Sequence, residues 1–318
     1  MDYSLLQQQN ISYRVSARLA DYTTFRLGGP CRCLIFCATP EELKTAFSLF
    51  TPASETLLVI GGGSNIVVAD QGVDAIVIRY ATETPRIQRN GTRVSVSAAT
   101  YLDELVSYAA QQGLSGLNFA SGIPGTVGGA VAGNAGAFGR QIGDAVGSAV
   151  VLRPDSQTRQ ISREVMGFAY RDSIFKKSRD IILTVDFNLS PEDPRILQKE
   201  RADILNLRRE KHPDWRQIPS AGSFFRNIEP SSQAGRRQSA GWFLEQAGAK
   251  ELNINGGRAF AKHANILIKA PQTTAQDIHD LSLRLQDLVV KKFKLKLERE
   301  VLFVGQFKGK PPTAGLLW

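Results

Sequence analysis

A glycine-rich stretch at residues 118–139 constrains this chain more than any other feature. It reads Asn-Phe-Ala-Ser-Gly-Ile-Pro-Gly-Thr-Val-Gly-Gly-Ala-Val-Ala-Gly-Asn-Ala-Gly-Ala-Phe-Gly, with seven glycines from Gly122 to Gly139 and no charged side chain. Because glycine loses the most backbone freedom on ordering, an ordinary helix or strand is disfavoured here. The backbone amides of such a stretch can instead form a concavity that binds an anion. We therefore predict a ligand-binding loop.

Two other interpretations of this stretch are weaker. A transmembrane helix needs about 20 mostly apolar residues, but Pro124, Asn134 and the glycines disfavour a helix in lipid. A flexible linker would be rich in serine and other polar residues. Here, by contrast, four apolar residues are spaced for packing, namely Ile123, Val127, Val131 and Phe138.

Length and charge bound the class of protein. A chain of 318 residues exceeds the usual size of one hydrophobic core, so two or three packed units are expected. The segment Met1–Asn10 is polar and lacks the features of a secretory signal. Since no uninterrupted apolar span occurs elsewhere either, we expect a cytoplasmic protein without membrane insertion. The net charge of +9 is scattered, and a nucleotide diphosphate would account for it as well as a nucleic acid.

The three cysteines lie close together in a predicted strand. The spacing of Cys31, Cys33 and Cys37 matches no standard zinc site, and the chain has no other cysteine. They are expected to be small buried hydrophobic residues of a reducing compartment, and no metal site is predicted.

Another glycine loop follows a buried strand nearer the N-terminus, and it is called the first glycine loop, the stretch at residues 118–139 being the second. The strand Leu57–Ile60 runs into Gly61-Gly62-Gly63-Ser64-Asn65, which resembles the start of a dinucleotide fingerprint. A Rossmann loop must open a helix, but the β-branched run Ile66–Val68 follows here. The Rossmann interpretation therefore fails, although the loop can still bind phosphate through its amides.

The remaining patterns indicate an α+β protein. Thr39 with Glu42 forms a capping box that begins a helix, and Asn90-Gly91 marks a turn between two strands. Predicted strands are Cys33–Cys37, Ile76–Arg79, Val94–Ala98, Ala149–Arg153, Ile181–Phe187 and Leu295–Val304. Predicted helices are Leu102–Gln112, Arg195–Lys211, Ser239–Gln246 and Ala275–Lys292.

Three side chains are candidates for chemistry, and each has an ordinary structural alternative. Ser223 lacks the histidine and the Gly-x-Ser-x-Gly turn of a hydrolase, so the residues alone favour a helix-cap or turn serine. Arg171 follows aromatic residues and could bind a carboxylate, or simply pair with Asp172 or Asp186. Glu300 could stand on the exposed face of the terminal strand.

At this point several motifs, in order along the chain, resemble one enzyme family. They are Thr23-Thr-Phe-Arg-Leu-Gly-Gly29, Ile60-Gly-Gly-Gly-Ser-Asn65, Ser121-Gly-Ile-Pro-Gly-Thr-Val-Gly-Gly129, Tyr170-Arg-Asp-Ser173, Ala221-Gly-Ser-Phe-Phe-Arg-Asn227, Ser239-Ala-Gly-Trp-Phe-Leu-Glu-Gln246 and Leu297-Glu-Arg-Glu-Val301. Together they resemble the UDP-N-acetylenolpyruvoylglucosamine reductases, over about residues 20–305.

The resemblance implies a fold and its division. It implies a two-part FAD-binding domain of the vanillyl-alcohol-oxidase type and a C-terminal α/β substrate-binding domain. The expected limits are 1–75 and 76–192 for the FAD-binding parts, 193–306 for the substrate domain and 307–318 for a tail outside the resemblance. A monomer is expected.

The resemblance also implies cofactor, substrate and residue roles. FAD would be held non-covalently by the two glycine loops, through Gly61, Gly62, Gly63, Ser64, Asn65, Ser121, Gly122, Pro124, Gly125, Gly128 and Gly129. NADPH would reduce the flavin, and a hydride would then pass to the methylene carbon of UDP-N-acetylglucosamine enolpyruvate. Arg171 and Glu300 would stabilise the enolate-like charge, and Ser223 would donate a proton to the adjacent carbon. Tyr170, Asn227 and Lys211 would bind the substrate.

Two departures from the family pattern flank the nucleotide side of the expected substrate site. Ile228 and Glu229 intervene between Asn227 and Pro230, and His212 stands where glutamine is common. Three rival functions stay open: a related flavin oxidase, a nucleotide-binding protein without catalysis and a nucleic-acid-binding protein. Many related oxidases attach FAD through a histidine beside the first glycine loop, and neither loop here has one nearby.

Overall fold

One four-stranded, one five-stranded and one three-stranded sheet organise the described part of the chain, with three two-stranded pairs. The computed structural model describes residues 3–50, 56–229 and 237–308. The mixture of sheets and helices confirms the α+β class.

The four-stranded sheet belongs to the N-terminal part. Its strands lie in the order Tyr13–Val15, Cys31–Cys37, Val73–Tyr80 and Leu57–Ile60. The last three are parallel to one another, and the first pairs antiparallel with the second. The helices Ser4–Gln8 and Pro40–Leu49 accompany this sheet, and the predicted Thr39–Glu42 capping box begins the second helix. The cysteines are buried and free, which confirms them as core residues.

The five-stranded sheet is antiparallel throughout. Its order is Thr158–Ser162, Val146–Leu152, Ile181–Asn188, Arg93–Ser97 and Ile87–Asn90. Its helices are Leu102–Gln111, Val127–Ala132 and Phe175–Ser178. Short pairs join Leu114–Ser115 to Ser190–Pro191 and Gly136–Ala137 to Arg140–Gln141. One core cluster runs through this sheet and the four-stranded one, so the two N-terminal parts share a hydrophobic core.

The C-terminal part combines three helices with a small sheet. The helices are Pro194–Lys211, Ala240–Gln246 and Ala275–Phe293, and the antiparallel strands are Asn253–Ile254, Gly257–Phe260 and His263–Ile268. Single 3₁₀ turns occur at Leu19–Tyr22, Asn118–Ala120, Ile142–Asp144 and Ala249–Glu251. The strand Leu302–Val304 returns to pair in parallel with Ile66–Val68, directly after the first glycine loop. The C-terminal chain thus meets the N-terminal part where a ligand loop was predicted.

The predicted division at residues 75 and 76 cuts through one strand. Val73–Tyr80 pairs along its length with Cys31–Cys37, so the first sheet extends to residue 80. The other predicted limits stay predictions, and most of the 307–318 tail lies outside the described residues.

Three local expectations were wrong. The glycine-rich stretch contains a helix, Val127–Ala132, because the Thr126 side chain caps it and Val127 and Val131 are fully buried. Phe138 does not pack, since 56% of it is exposed. The terminal strand is only Leu302–Val304 rather than Leu295–Val304, because the preceding residues cross to the segment that carries Ser223.

Candidate active site

The two glycine loops lie against each other. A Cβ placed on Gly61 would lie 2.2 Å from Thr126 Oγ1, and one on Gly62 would lie 2.9 Å from Gly125 Cα. The Ser64 hydroxyl donates a hydrogen bond of 3.0 Å to the Pro124 carbonyl. Such close approach of two backbones requires glycine, so the loops form one continuous surface.

That surface presents backbone donors without partners. Within the described part of the chain, the N–H groups of Gly62, Gly63, Ser64 and Gly125 donate to no protein acceptor. Buried or crowded N–H groups are nearly always paired in folded proteins, so a ligand is the expected acceptor. The first N–H groups of the helix Val127–Ala132 are, by contrast, already bonded, Val127 to Thr100 O and Gly128 to Ala98 O, both at 2.9 Å.

A charged pair fixes the second loop from outside. Asp103 accepts from the Gly122 N–H at 2.7 Å and from both terminal nitrogens of Arg201 at 2.7 and 2.8 Å. Burial acts to raise the pKa of Asp103, but the hydrogen bonds from Arg201 and Gly122 outweigh it, and the pKa is lowered. The carboxylate therefore ties the loop to the helix Pro194–Lys211.

Arg171 and Glu300 meet beside these loops. Arg171 Nε lies 3.0 Å from Glu300 Oε1, and the two side chains are only 21% and 19% exposed. The Nε–H is not aligned for a hydrogen bond, so the contact is an ion pair. The alternative partners Asp172 and Asp186 are wrong for Arg171, and the exposed-face interpretation is wrong for Glu300.

The protonation of Glu300 is balanced between burial and neighbouring cations. Burial raises its pKa, and Arg171, Lys176 and Arg226 act in the opposite direction. The net direction is upward, so the neutral form of this carboxyl is more accessible than in water. A neutral carboxyl can donate a hydrogen bond to a developing anion.

The first glycine loop and the Ser223 segment both hold the backbone of Glu300. Its N–H donates to Phe224 O at 2.8 Å, and Asn65 Nδ2 donates to Glu300 O at 3.2 Å. Ser223 precedes Phe224 and is half-buried. No hydrogen-bond partner of its hydroxyl is found among the described residues, so this proton is free to serve a ligand.

Two of the three predicted substrate residues reach the same place. The Asn227 N–H donates to the Tyr170 hydroxyl at 3.1 Å, and the Arg237 guanidinium stacks 4.0 Å above the Tyr170 ring. Lys211 stays apart: it is exposed at the end of the helix Pro194–Lys211, near His212 and His263.

The sequence analysis missed several residues at this site. Thr126 separates the loops, Tyr101 lies 3.4 Å from a Cβ on Gly62, and Lys176 and Arg226 surround Arg171. Thr126 and Arg226 had a signal, because they lie inside the motifs Ser121–Gly129 and Ala221–Asn227, and Lys176 follows the motif Tyr170–Ser173 by three residues. Two cavities, of about 500 and 370 Å³, are lined by other residues and contain none of the catalytic candidates.

The donor set fits the phosphates of a dinucleotide. Unpaired backbone amides from two loops are an anion-binding arrangement that requires no lysine. Gly129 is exposed, and within the described part of the chain the nearest atom that a Cβ there would meet across space is Thr126 Oγ1 at 3.7 Å, so this face of the second loop is open.

Comparison with known proteins identifies the family. A family model described as an FAD binding domain matches residues 31–162, and one described as the C-terminal domain of UDP-N-acetylenolpyruvoylglucosamine reductase matches residues 212–304. The UDP-N-acetylenolpyruvoylglucosamine reductase of Halalkalibacterium halodurans is 34% identical over 92% of this chain and 94% of its own length. This chain belongs to the UDP-N-acetylenolpyruvoylglucosamine reductase family.

Other members of the reductase family agree in sequence and in fold. The Solibacter usitatus reductase is 35% identical over 93% of this chain and 98% of its own length. The crystal structure of UDP-N-acetylenolpyruvylglucosamine reductase from Thermus caldophilus superposes with a TM-score of 0.74 at 31% identity. It covers 92% of this chain and 98% of that one. The structural match confirms the predicted fold of the reductase family, and the match to the FAD binding domain confirms FAD as the cofactor.

Proposed function

We propose that this chain is an FAD-containing, NADPH-dependent reductase that converts UDP-N-acetylglucosamine enolpyruvate to UDP-N-acetylmuramate in peptidoglycan precursor synthesis. The observation that carries the proposal is the Arg171–Glu300 pair, 3.0 Å apart and directly connected to the first glycine loop through Asn65. Membership of the reductase family supports the substrate class.

The glycine loops would hold the cofactor. The N–H groups of Gly62, Gly63, Ser64 and Gly125, which have no acceptor among the described residues, are the donors available for its pyrophosphate. FAD, when bound, supplies the redox chemistry by accepting a hydride from NADPH and passing one to the substrate. The protein has to exclude other reactions, to stabilise the negative charge that develops on the substrate and to supply a proton to its carbon.

Arg171 and Glu300 would stabilise the negative charge that develops on the substrate. Hydride addition to the methylene carbon places negative charge on the substrate carboxylate, in an enolate-like species. The Arg171 guanidinium can pair with that carboxylate through a planar fork, and Glu300, whose pKa burial raises, can donate a hydrogen bond to it. Charges fixed in a partly desolvated site stabilise such a species more than water does.

Ser223 would supply the proton. Its hydroxyl is unused by the described protein groups and stands next to Phe224, whose carbonyl accepts from the Glu300 N–H. Protonation of the carbon next to the carboxylate completes the reduction. Tyr170, Asn227 and Lys211 are proposed for the nucleotide side, where Tyr170 and Asn227 are already bonded to each other.

The two half-reactions separate these roles in one experiment. Ser223→Ala should leave the bleaching of the flavin by NADPH nearly unchanged, because no proton goes to carbon in that step. Reoxidation by the enolpyruvyl substrate should slow by at least roughly 10²-fold, as expected on losing a positioned general acid. Arg171→Lys should slow the same step, since an ammonium cannot reproduce the fork.

Stopped-flow absorbance follows both phases, and Ser220→Ala is the matched control. Ser220 lies three residues earlier; its carbonyl accepts from the Thr24 hydroxyl at 2.7 Å, and its own hydroxyl has no hydrogen-bond partner among the described residues. Equal slowing of both phases in Ser223→Ala would make the serine structural. No slowing in either phase would mean that the proton comes from elsewhere.

The setting of the protein is a separate proposal. No helix in residues 3–50, 56–229 and 237–308 is long and apolar enough to cross a membrane. Cytoplasmic location and a monomeric state stay predictions, and size-exclusion chromatography with light scattering tests the second.

A further inference from the structure

The backbone of Arg171 is held in an unfavourable conformation. Its φ is +53°, in the left-handed region that residues with a Cβ rarely adopt. Ala169 and Asp172 exchange both backbone hydrogen bonds, each 3.1 Å, and so close a two-residue turn around Tyr170 and Arg171. Arg171 occupies the second central position, where such turns favour glycine or asparagine. Some other interaction must therefore select this conformation.

Two cations converge on the Arg171 carbonyl. Lys176 Nζ donates a short hydrogen bond to Arg171 O, and Arg226 Nη2 donates a second one at 3.3 Å. Lys176 comes from the following helix, Phe175–Ser178, whereas Arg226 comes from the C-terminal part and the Ser223 motif. The Arg171 carbonyl thus accepts hydrogen bonds from two separate parts of the fold.

The side chain of Arg171 is fixed at its other end. Its Nη2 donates to Gly136 O at 2.6 Å, and its Nε faces Glu300. A change in φ at Arg171 would move the guanidinium away from both Gly136 O and Glu300. Control of the carbonyl is therefore control of where the guanidinium points.

Bringing these cations together is itself unfavourable. The pKa of Lys176 is lowered, first by desolvation of its ammonium group and then by the charge of Arg226. Asp172 and Glu300 act in the opposite direction but do not outweigh these two effects. The residue as a whole is nevertheless exposed to solvent. Among the described residues no carboxylate lies within 4.0 Å of Lys176 Nζ, and Arg226 reaches Glu298 only at 3.9 Å. Ordinary ion pairing therefore does not account for the placement of Lys176.

We propose that Lys176 and Arg226 are positioning residues that lock Arg171 in its left-handed conformation and so aim its guanidinium at Glu300 and the substrate carboxylate. The inference rests on the proposed role of Arg171. It assigns no contact with substrate to Lys176 or Arg226.

The test compares two neighbouring lysines. Lys176→Met removes the donor while keeping the length of the stem, and Lys177→Met, on the same short helix, is the matched control. In Lys176→Met we expect normal bleaching of the flavin by NADPH and at least tenfold slower reoxidation by the enolpyruvyl substrate at saturation. Lys177→Met should match the wild type in both phases, and Lys176→Arg should recover most of the lost rate.

Two further measurements exclude a merely structural role. The pH profile of the substrate half-reaction should move to higher pH in Lys176→Met, because Arg171, Lys176 and Arg226 are the cations that hold down the pKa of Glu300. In an Arg171→Ala background, Lys176→Met should cause no further loss, since a residue that acts through Arg171 has nothing left to position.

The outcomes separate this inference from the proposed function. If the wild type is not bleached by NADPH or not reoxidised by the enolpyruvyl substrate, the proposed function fails. If the wild type is active and Lys176→Met behaves like Lys177→Met, or if its loss adds fully to that of Arg171→Ala, the positioning role is overturned. Should Lys176→Met not fold, Arg226→Gln removes the second donor and is judged by the same criteria.

Discussion

Adjacent glycines in the second loop should respond oppositely to the same small change. The family resemblance assigns Gly128 and Gly129 alike to FAD binding, so a Cβ at either would be expected to obstruct the cofactor. In the structure, a Cβ on Gly128 lies 3.0 Å from Ala98 Cβ and 3.2 Å from Ala98 O, which is protein rather than ligand space. A Cβ on the exposed Gly129 meets Thr126 Oγ1 at 3.7 Å, an ordinary contact, and no other group of the described residues within 4 Å across space.

Gly129→Ala should therefore stabilise the protein without FAD and weaken FAD binding. Replacing glycine by alanine inside a helix gains about 0.5–1 kcal/mol, because alanine loses less backbone freedom. If FAD lies on this open face, the added methyl must displace it, and we expect at least about tenfold weaker binding, which corresponds to about 1.4 kcal/mol. Gly128→Ala should instead destabilise the protein even without FAD, through its contact with Ala98.

The assay needs two measurements on each variant. Thermal unfolding of the FAD-free protein reports the change in stability, and quenching of flavin fluorescence on titration reports the affinity for FAD. Wild-type affinity in Gly129→Ala would show that no ligand occupies this face. Destabilisation of Gly129→Ala to the level of Gly128→Ala would refute the geometric reasoning itself. Gly128→Val, which the sequence alone would suggest, cannot distinguish a lost ligand site from a disturbed fold.

Four other outcomes are expected. Asn265→Leu should lower the free energy of unfolding by about 2–4 kcal/mol, measured by urea denaturation, because its buried amide makes hydrogen bonds of 2.9 and 2.8 Å to the N–H and carbonyl of Phe225. The pKa of His212 is lowered to about 4 by burial and by Arg208, so the folded state holds it neutral. The unfolded chain takes up that proton below about pH 6.5, and stability should therefore fall by about 1–3 kcal/mol from pH 6.5 to 4 in the wild type, but less in His212→Gln. Asp103→Asn should lower FAD affinity in a fluorescence titration, because Gly122 loses its carboxylate acceptor. Acid precipitation of the yellow protein should release FAD to the supernatant, and flavin that stays in the pellet would contradict non-covalent binding.

Local signals in the sequence were sufficient where the physics is local. The Thr39–Glu42 capping box involves atoms three residues apart, and the structure contains it as predicted. The run of β-branched residues after Gly61–Asn65 argued against a Rossmann helix, and Ile66–Val68 is indeed a strand. The long helices were found with their ends displaced by one residue at most, since capping residues and apolar periodicity mark them in the sequence.

Contacts between segments distant in the chain could not be predicted from these local signals. Residues 295–301 alternate like a strand, but they are bonded to the Ser223 segment instead, through Arg226 N–H to Glu298 O at 2.8 Å and Glu300 N–H to Phe224 O at 2.8 Å. The helix Val127–Ala132 forms despite two glycines because Thr126 caps it and the sheet buries it. Tertiary burial there outweighs the weak helix propensity of glycine.

The candidate active site shows most clearly the difference between what the sequence predicts and what the tertiary structure decides. Residue patterns alone gave Arg171, Ser223 and Glu300 as candidates, each with a structural alternative that was at least as well supported. Only the folded chain brings Arg171 to 3.0 Å from Glu300, 129 positions apart in the numbering, and bonds the Glu300 carbonyl to Asn65 of the first glycine loop. Residue type and spacing determine which groups a chain can offer to a ligand. Which of them lie together, so that burial raises the pKa of Glu300 and the Arg171 side chain takes a fixed direction, depends on long-range packing.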